Sequence, residues 1–586
     1  MKTLIDTLLR QALQRLPEDL APAALRNSTI EIERTRDSQH GDFATNLAMQ
    51  LAKVTRQNPR KLASALVAAL PAHDAIAKVE IAGAGFINFF LKEDAYHAEL
   101  GRVLEQNSEY GKSLLGAGHT VLVEFVSANP TGPLHVGHGR HAAFGATVAN
   151  LLEATGYRVA REYYINDAGR QMEILAVSTW LRYLERCGEH CAFPANGYRG
   201  DYIIAIAQRL YEAEETSLLR GVTEVFEGLP ADEPHGGDKD AYIDAVITRA
   251  RLLIGDAAFR RVLDMALDVI LSDIREDLAQ FGVTFDSWYS ERTLSDSGAV
   301  DRAVGALESA GHAYRKDGAL WFKSTDYGDE KDRVMVRDNG IKTYFASDIA
   351  FVLNKRERGF EHLLYIWGAD HHGYITRLRA GLIALGGPPE CFEVRLVQFV
   401  SLFRGGEKAQ MSTRSGEFVT LRDLRKEVGN DAARLFYVMR SNDQHLDFDL
   451  ELAKARSNDN PVYYIQYAHA RVASVKRQLQ ERGIAYDRIR GARSLGRLAE
   501  PQELQLVKRL ASFPELIQQC AAQRAPHTLV HYLRDLANDF HTYYSAHQFI
   551  VDDAALRDAR LTLALATQIV IRNGLTLLGV SAPDTM

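Results

Sequence analysis

The sequence predicts an α/β protein built on a doubly wound parallel sheet, with a small α/β domain before it and an all-helical bundle after it. A buried-strand run at 120–126 is followed by a turn rich in Pro and Gly, a helical stretch over 134–155 and a second strand-like run at 158–165. This βαβ order is typical of a parallel sheet. Strand-like runs return at 363–367 and 394–400 and extend the predicted sheet.

The same patterns divide the chain into three domains, at 1–110, 111–456 and 457–586. A polar stretch that contains several glycines covers the first boundary, and helical periodicity is nearly continuous through the third domain. Between about 176 and 290 the middle domain becomes helical and polar, which is typical of an insertion.

The composition of the 586 residues is that of a globular protein, and its net charge of −7 excludes a chain coated with basic charge for nucleic acid. Residues 211–240 alone have a net charge of −7, so the remainder is free to hold basic patches. One such stretch is 471–509, with a net charge of +6, directly after Tyr463, Tyr464 and Tyr467. Aromatic residues beside basic ones suit RNA, and a solvated helix face explains the stretch equally well.

Four cysteines cannot cross-link a chain of this length, so we expect a reducing compartment and a cytoplasmic protein. Cys187, His190 and Cys191 suggest zinc, but no second ligand pair stands near them in the sequence, and no metal site is predicted. The most apolar late run, at 561–571, is too short to cross a membrane. Charged residues in the first turns exclude a secretory signal peptide.

The segment with the most chemical information is 128–138, Ala-Asn-Pro-Thr-Gly-Pro-Leu-His-Val-Gly-His. Pro133 is placed where the first turn of a helix tolerates a missing N–H group. His135 and His138 are three residues apart, so we expect both on one helix face at the positive end of the helix dipole. Gly137 leaves room for a base or a ribose against the backbone. The segment therefore predicts a nucleotide phosphate site; a His-x-x-His metal pair is the alternative, without a third ligand nearby.

This segment resembles the class I aminoacyl-tRNA synthetases, whose first signature, His-Ile-Gly-His, corresponds here to 135–138. Their second signature, Lys-Met-Ser-Lys-Ser, corresponds to 410–414, Gln-Met-Ser-Thr-Arg. Met411 and Ser412 match this signature, whereas both lysines are absent. Lys408, two residues upstream, is the nearest replacement.

Further blocks are similar to the arginyl-tRNA synthetase family, and this similarity covers nearly the whole chain. They are Gly-Asp-Phe-Ala-Thr-Asn at 41–46, Gly-Phe-Ile-Asn at 85–88, Tyr-Ile-Asn-Asp-Ala-Gly-Arg-Gln at 164–171, Gly-Ala-Asp-His-His-Gly-Tyr at 368–374, and the block from Asn460 to Arg471. The resemblance implies a Rossmann-like catalytic domain, an N-terminal domain that contacts tRNA and a C-terminal helical domain that binds the anticodon.

The resemblance also implies the site residues. A guanidinium needs a carboxylate partner, and Asp348 matches that position, with Tyr344 one helical turn away. Glu124, Ser127 and Asn129 match positions that hold the side chain and the α-amino group of arginine. His135, His138 and Lys408 match catalytic positions. The implied nucleotide-binding residues are Ala128, Asn129, Pro130, Thr131, Gly132, Pro133, Leu134, His135, Val136, Gly137, His138, Gly368, Asp370, His371, Met411 and Ser412.

The activity that the resemblance implies is arginine–tRNA ligation. ATP and arginine give arginyl-adenylate, and arginine then passes to the terminal adenosine of tRNA(Arg). Magnesium accompanies ATP, no tightly bound cofactor is expected, tRNA is needed for the first step, and the family implies a monomer without a membrane partner. Two alternatives stay open at this point. One is the similar cysteine enzyme, which needs a zinc cluster, and the other is a non-enzymatic tRNA-binding relative.

Overall fold

The first part of the chain is a four-stranded antiparallel sheet packed against helices. A computed structural model describes residues 1–26, 28–35, 37–409 and 419–586. The elements of this part are α1 (Lys2–Arg15), α2 (Ala23–Arg26), β1 (Ile32–Arg34), β2 (Phe43–Thr45), α3 (Leu47–Thr55), α4 (Pro59–Ala69), β3 (Ile76–Ala82), β4 (Phe86–Leu91) and α5 (Glu93–Gln106). The strands lie in the order β1-β2-β4-β3.

The middle of the chain contains the parallel sheet that the sequence predicts. The strands in this part of the chain are β5 (Thr120–Glu124), β6 (Arg158–Ile165), β7 (Ser287–Ser290), β8 (Ala313–Lys316), β9 (Ala319–Phe322), β10 (Arg333–Val336), β11 (His362–Gly368), β12 (Phe392–Val397), β13 (Val400–Arg404), β14 (Glu407–Lys408) and β15 (Leu446–Asp449). Five of them form a parallel sheet in the order β12-β11-β5-β6-β7. The chain leaves β5 toward β6 and later returns on the other side at β11. This reversal opens a crevice at the carboxyl end of β5, where ligands bind in such folds.

Helices cover this sheet, and a helical segment separates β6 from β7. The helices are α6 (Val136–Ala154), α7 (Arg170–Arg186), α8 (Asp201–Glu214), α9 (Val222–Phe226), α10 (Lys239–Ile254), α11 (Asp256–Gln280), α12 (Glu291–Asp296), α13 (Ala299–Ser309), α14 (Tyr344–Glu357), α15 (Ile375–Ala384), α16 (Leu421–Val428), α17 (Asn430–Val438) and α18 (Leu450–Lys454). The doubly wound fold class is therefore confirmed.

Two predicted elements differ from the observed ones. The helix expected over 134–155 begins only at Val136, because His135 takes the N-cap position, and Pro133 lies before the helix rather than in its first turn. The run 394–400 is divided between β12 and β13. The chain bends there because the N–H of Gln398 donates to the carbonyl of Asn442 at 2.8 Å, outside the first sheet.

The last part of the chain is helical, as predicted. Its helices are α19 (Pro461–Glu481), α20 (Arg488–Arg493), α21 (Pro501–Gln523), α22 (Pro526–Ala546) and α23 (Ala554–Leu578). The apolar run at 561–571 was expected to be too short for a membrane span, but it belongs to α23, whose 25 residues are long and apolar enough to cross a membrane by length and composition alone. Since 72% of its most apolar window is buried inside the protein, α23 is a core helix of the bundle. No other helix among the described residues is long and apolar enough for this.

Candidate active site

A strained turn follows β5 and starts the site. Val126 and Ser127 have φ angles of 67° and 40°, in the left-handed region that non-glycine residues rarely adopt. Each such residue costs on the order of 1–3 kcal/mol, and such strain is concentrated at functional sites. The turn points the hydroxyl of Ser127 back toward the sheet. It donates to Oε1 of Glu124 at 3.3 Å and accepts from the N–H of Tyr164 at 3.2 Å.

The two signature histidines lie at the N-terminus of α6 and stack on each other, with ring centroids 3.6 Å apart. Nδ1 of His135 accepts from the N–H of Gly137 at 3.1 Å, and Nδ1 of His138 accepts from the N–H of His135 at 3.3 Å. With both Nδ1 atoms accepting, each neutral ring carries its proton on Nε2. Burial lowers the pKa of His135 and lowers that of His138 well below its ordinary value. Both histidines are therefore neutral hydrogen-bond donors near pH 7, and not the cations that a phosphate site often uses.

The expectation of open space beside Gly137 is wrong for this arrangement of the histidines. A Cβ atom at Gly137 would lie 2.9 Å from Cε1 of His135. The imidazole of His135 occupies the space that a side chain would fill. Glycine is required here so that His135 can turn over the first turn of α6 and cap it.

A third histidine, His141, lies one turn further along α6 and was not predicted. Burial is the main reason that its pKa falls to about 4. It lies near Gly368 at the end of β11, where a Cβ atom would be 3.6 Å from its Cε1 and 2.5 Å from Oδ1 of Asp370. Nε2 of His371 lies 3.6 Å from Oδ2 of the same aspartate. The predicted block 368–374 therefore faces α6, and the spacing of His141 from His138 was the available signal.

Backbone hydrogen bonds join the first signature to the chain that follows the second one. The N–H of Val136 donates to the carbonyl of Val419 at 3.2 Å, and the N–H of Leu421 donates to the carbonyl of Leu134 at 2.8 Å. Lys408 is exposed at the end of β14, on the other side of the second signature. Met411 and Ser412 lie outside the described residues.

One face of α14 points into the crevice beside β5. Tyr344, Asp348, Phe351 and Lys355 follow each other at spacings of three or four residues, so they share this face. The ring of Phe351 packs against that of Tyr164 with centroids 4.5 Å apart. Tyr344 is exposed at the entrance, whereas Lys355 is fully buried at the far end.

Three carboxylates meet in this pocket. Burial, Glu291 and Glu124 raise the pKa of Asp348 to about 7. Burial and Asp167 raise the pKa of Glu291 to about 7 as well. Among the described residues neither Asp348 nor Glu291 forms an ion pair, so the pocket has an excess of acidic groups, and a bound cation would favour their ionised forms.

Glu291 is the pocket residue that the sequence did not reveal. Its neighbours are held by Asp167, whose carboxylate accepts from Oγ of Ser290 at 2.6 Å. The same carboxylate accepts from Nε and the backbone N–H of Arg292 at 3.0 and 3.1 Å. These bonds fix the start of α12 and aim Glu291 into the pocket. Glu291 comes after the long insertion and outside every recognisable block, so no local signal marks it.

Asn129 lies at the open side of the pocket within an amide network. Its Nδ2 donates to Oε1 of Gln171 at 2.9 Å, and its Oδ1 accepts from Nδ2 of Asn166 at 3.1 Å. The hydroxyl of Tyr344 lies over Gly169, where a Cβ atom would be 2.9 Å away. The fold therefore brings the predicted block 164–171 beside the residues expected to bind arginine.

The site combines an acidic pocket with neutral imidazole donors at a helix N-terminus, which suits a cationic amino acid next to a nucleotide. Among the described residues, no group of three or more His, Cys, Asp or Glu could hold a metal ion. This applies to Cys187, His190 and Cys191 as well. The fold and the site define a class I aminoacyl-tRNA synthetase. A family model for the catalytic domain of class I (R) tRNA synthetases matches residues 99–458. A solved arginyl-tRNA synthetase of Thermus thermophilus has the same fold, with 23% identity, a TM-score of 0.74 and full coverage of both chains.

The chain belongs to the arginyl-tRNA synthetase family. Models of the arginyl-tRNA synthetase N-terminal domain and the DALR anticodon-binding domain match residues 3–91 and 465–586. Arginine–tRNA ligases of Thioalkalivibrio sulfidiphilus and Halorhodospira halophila are 58% and 56% identical to it, with full coverage of both chains. A solved chain from Campylobacter jejuni, described as a proposed arginyl-tRNA synthetase, is 30% identical, with a TM-score of 0.73, over 85% of this chain and all of that one. The protein is thus an enzyme that attaches arginine to tRNA(Arg), and it uses ATP.

Proposed function

We propose that arginine and ATP react in the crevice at the carboxyl end of β5, and that the acidic pocket below α14 selects arginine. The observation that carries this proposal is the excess of carboxylates in a pocket that adjoins two neutral histidines at a helix N-terminus. In the first step the carboxylate of arginine attacks the α-phosphate of ATP, and the bond to pyrophosphate breaks. In the second step the 2′-hydroxyl of the terminal adenosine attacks the arginyl carbonyl, and AMP leaves.

In this proposal the pocket residues have separate roles. Asp348 pairs with the guanidinium, and Tyr344 closes over it. Asn129 and Ser127 hold the α-amino group. The resemblance implied that Glu124 binds arginine, but its carboxylate pairs with Lys355, so we assign it to fixing the end of β5 beside the substrate side chain. Glu291 adds a second carboxylate to the guanidinium site. A guanidinium has five N–H donors, and two carboxylates give it acceptors on two sides.

His135 and His138 donate from Nε2 to the phosphate oxygens as charge develops on them. Their neutral state fits this role, because a donor of fixed orientation needs no change of protonation during the reaction. The remaining nucleotide contacts come from 128–138 and from the block that holds Gly368, Asp370 and His371. Met411 and Ser412 are also proposed to bind the nucleotide. Magnesium enters with the phosphates of ATP as part of the substrate.

Lys408 is proposed to replace the missing signature lysines, because it is the nearest ammonium to that signature in the chain and it is exposed. We expect Lys408→Ala to slow adenylate formation about 10²-fold, the lower end for the loss of one group that stabilises developing charge. Gln410→Ala and Thr413→Ala are the matched controls, with smaller effects. Lys408→Arg should be partly active, since a planar guanidinium does not reproduce a compact ammonium. A normal single-turnover rate of Lys408→Ala would show that the charge comes from another residue, with Arg414 the next to test.

The domains at 1–110 and 457–586 are proposed to contact tRNA, in a monomeric cytoplasmic enzyme. An aromatic and basic cluster in the bundle supports an RNA surface there. The rings of Tyr463 and Tyr467 stack with centroids 5.8 Å apart. The guanidinium of Arg471 lies 4.5 Å from the ring centre of Tyr467 and 4.7 Å from that of Tyr544. Such side chains stack on bases and bind phosphates.

Arginine-dependent exchange of pyrophosphate into ATP is expected only when tRNA(Arg) is present. The reason is that binding energy from the tRNA would complete a site whose parts come from several separate segments. The measurement is exchange with each amino acid, with and without tRNA. Equal exchange without tRNA would contradict the requirement for tRNA. Exchange with an amino acid other than arginine would contradict the proposed pocket.

A further inference from the structure

Lys355 is a fully buried ammonium at the inner end of the acidic pocket. Its Nζ pairs with Oε2 of Glu124 and lies 3.6 Å from Oε1 of Glu162. The rings of Phe351 and Tyr365 flank it, with centroids 4.1 and 4.0 Å away. Because Lys355 is fully buried, water does not stabilise this charge, so its two carboxylate neighbours and the two rings must do so.

The charges around Lys355 balance among themselves. Two buried carboxylates, Glu124 and Glu162, face two cations, Lys355 and Arg358, with Nη2 of Arg358 at 2.6 Å from Oε2 of Glu162. The two other acids of the pocket, Asp348 on α14 and Glu291 at the start of α12, lie outside this balance. A ligand that neutralises the pocket would therefore meet those two acids rather than Glu124.

We propose that Lys355 is a positioning residue for arginine activation, which keeps Glu124 ionised and fixed at the end of β5 so that the guanidinium is directed to Asp348 and Glu291. This inference rests on the arginine pocket proposed above. Glu124 also accepts from the hydroxyl of Ser127. Lys355 therefore influences, through Glu124, the strained turn that begins the signature segment.

The electrostatics of Glu124 agree with this role. Burial raises the pKa of Glu124, and Lys355 acts most strongly in the opposite direction. Removal of the ammonium would leave burial and the neighbouring acids to favour the protonated carboxyl. The titratable and charged groups that face Glu124 are Lys355 and Asp348 on α14, Glu162 and Tyr164 on β6, and Tyr365 on β11.

The test compares Lys355→Met with Arg358→Met in steady-state kinetics between pH 6 and 9. Lys355→Met keeps much of the side-chain volume and removes the ammonium charge that pairs with Glu124. We expect its KM for arginine to rise about 10–100-fold near pH 7, the size of effect that a misplaced site produces, with the KM for ATP unchanged. Its kcat/KM for arginine should gain a new titration step and rise with pH through that step, because deprotonation restores the charge of Glu124. Arg358→Met removes a cation that contacts Glu162, Tyr289 and Phe360 but leaves the pair of Lys355 and Glu124 in place, so we expect no new titration step.

Two further variants separate charge from packing. Lys355→Gln can donate to Glu124 without a charge and should show the same new step as Lys355→Met, also where the methionine variant does not fold. Lys355→Arg keeps the charge and should retain the wild-type pH profile. A wild-type arginine KM and pH profile in Lys355→Gln, or a new step in Lys355→Arg, would overturn the proposed role of Lys355. Asp348→Asn in parallel tests the pocket itself. If that variant keeps normal arginine kinetics, the pocket proposal fails, whatever the Lys355 variants show.

Discussion

Replacement of His138 by alanine is expected to slow the formation of arginyl-adenylate by about 10²–10³-fold, the range for the loss of one donor that acts on developing charge. Arginine binding should change little, because the histidines lie at the N-terminus of α6 and the proposed arginine pocket lies along α14. The measurement is the single-turnover rate of adenylate formation together with the Kd of arginine. A normal rate with weakened arginine binding would reverse the assignment.

His135 should give an effect of the same size, but it also caps α6. Loss of a cap costs about 1 kcal/mol of stability, so His135→Ala combines two effects. His135→Asn keeps an N-cap side chain and a donor, and comparison of the two variants separates capping from catalysis. His362→Ala is the matched control. This histidine begins β11, at the end of the sheet opposite to the carboxyl end of β5, so its loss should leave the adenylation rate normal.

The parts of the site that the sequence predicts are those with local signals. The βαβ pattern, the Pro/Gly turn and the two histidines stand within 120–165, where periodicity and turn chemistry act over a few residues. The start of α6 was misplaced by two residues because His135 serves as the cap. Histidine is an uncommon N-cap, and the local pattern favoured a start at the proline.

The remainder depends on how strands far apart in sequence pair with each other. Glu291 reaches the pocket because β7 pairs with β6, which pairs with β5, although a long helical insertion separates them in the chain. Lys355 shows a different difficulty. A lysine near the end of a helix usually lies in solvent, whereas the fold buries this one against Glu124 of β5 and Tyr365 of β11. Such residues are visible only once the tertiary structure is known.

Asp348→Asn is expected to lower the kcat/KM for arginine by roughly 30- to several-thousand-fold. Loss of the charge from one partner of a desolvated, hydrogen-bonded pair costs on the order of 2–5 kcal/mol. Asparagine keeps the shape of the side chain, so the KM for ATP should remain close to wild type. Citrulline is neutral and nearly isosteric with arginine, and it should lose much less. The discrimination between the two amino acids should therefore shrink in this variant.

The pH dependence gives the same prediction an independent check. The pKa of Asp348 in the free enzyme is raised to about 7, and the proposed pairing with the guanidinium requires its ionised form. Below pH 7 the protonated form predominates, so the kcat/KM of the wild type for arginine should fall as the pH drops from 7 to 6. Asp348→Asn removes one of the two groups that titrate there, and the fall should be shallower. Glu291, whose pKa is also raised to about 7, accounts for the remaining slope.

Stability should change in the opposite direction to activity. A carboxyl whose pKa is higher in the folded than in the unfolded chain destabilises the fold as the pH rises, from its unfolded value of about 4 up to its folded value near 7. Asp348→Asn removes that cost, so the Tm of the variant should exceed that of the wild type at pH 8 and match it near pH 4. Thermal unfolding at both pH values, beside kinetics with arginine and citrulline, decides the role of Asp348. If both amino acids lose activity by the same factor and the Tm falls at pH 8, Asp348 is a structural residue of α14 and not the partner of the guanidinium.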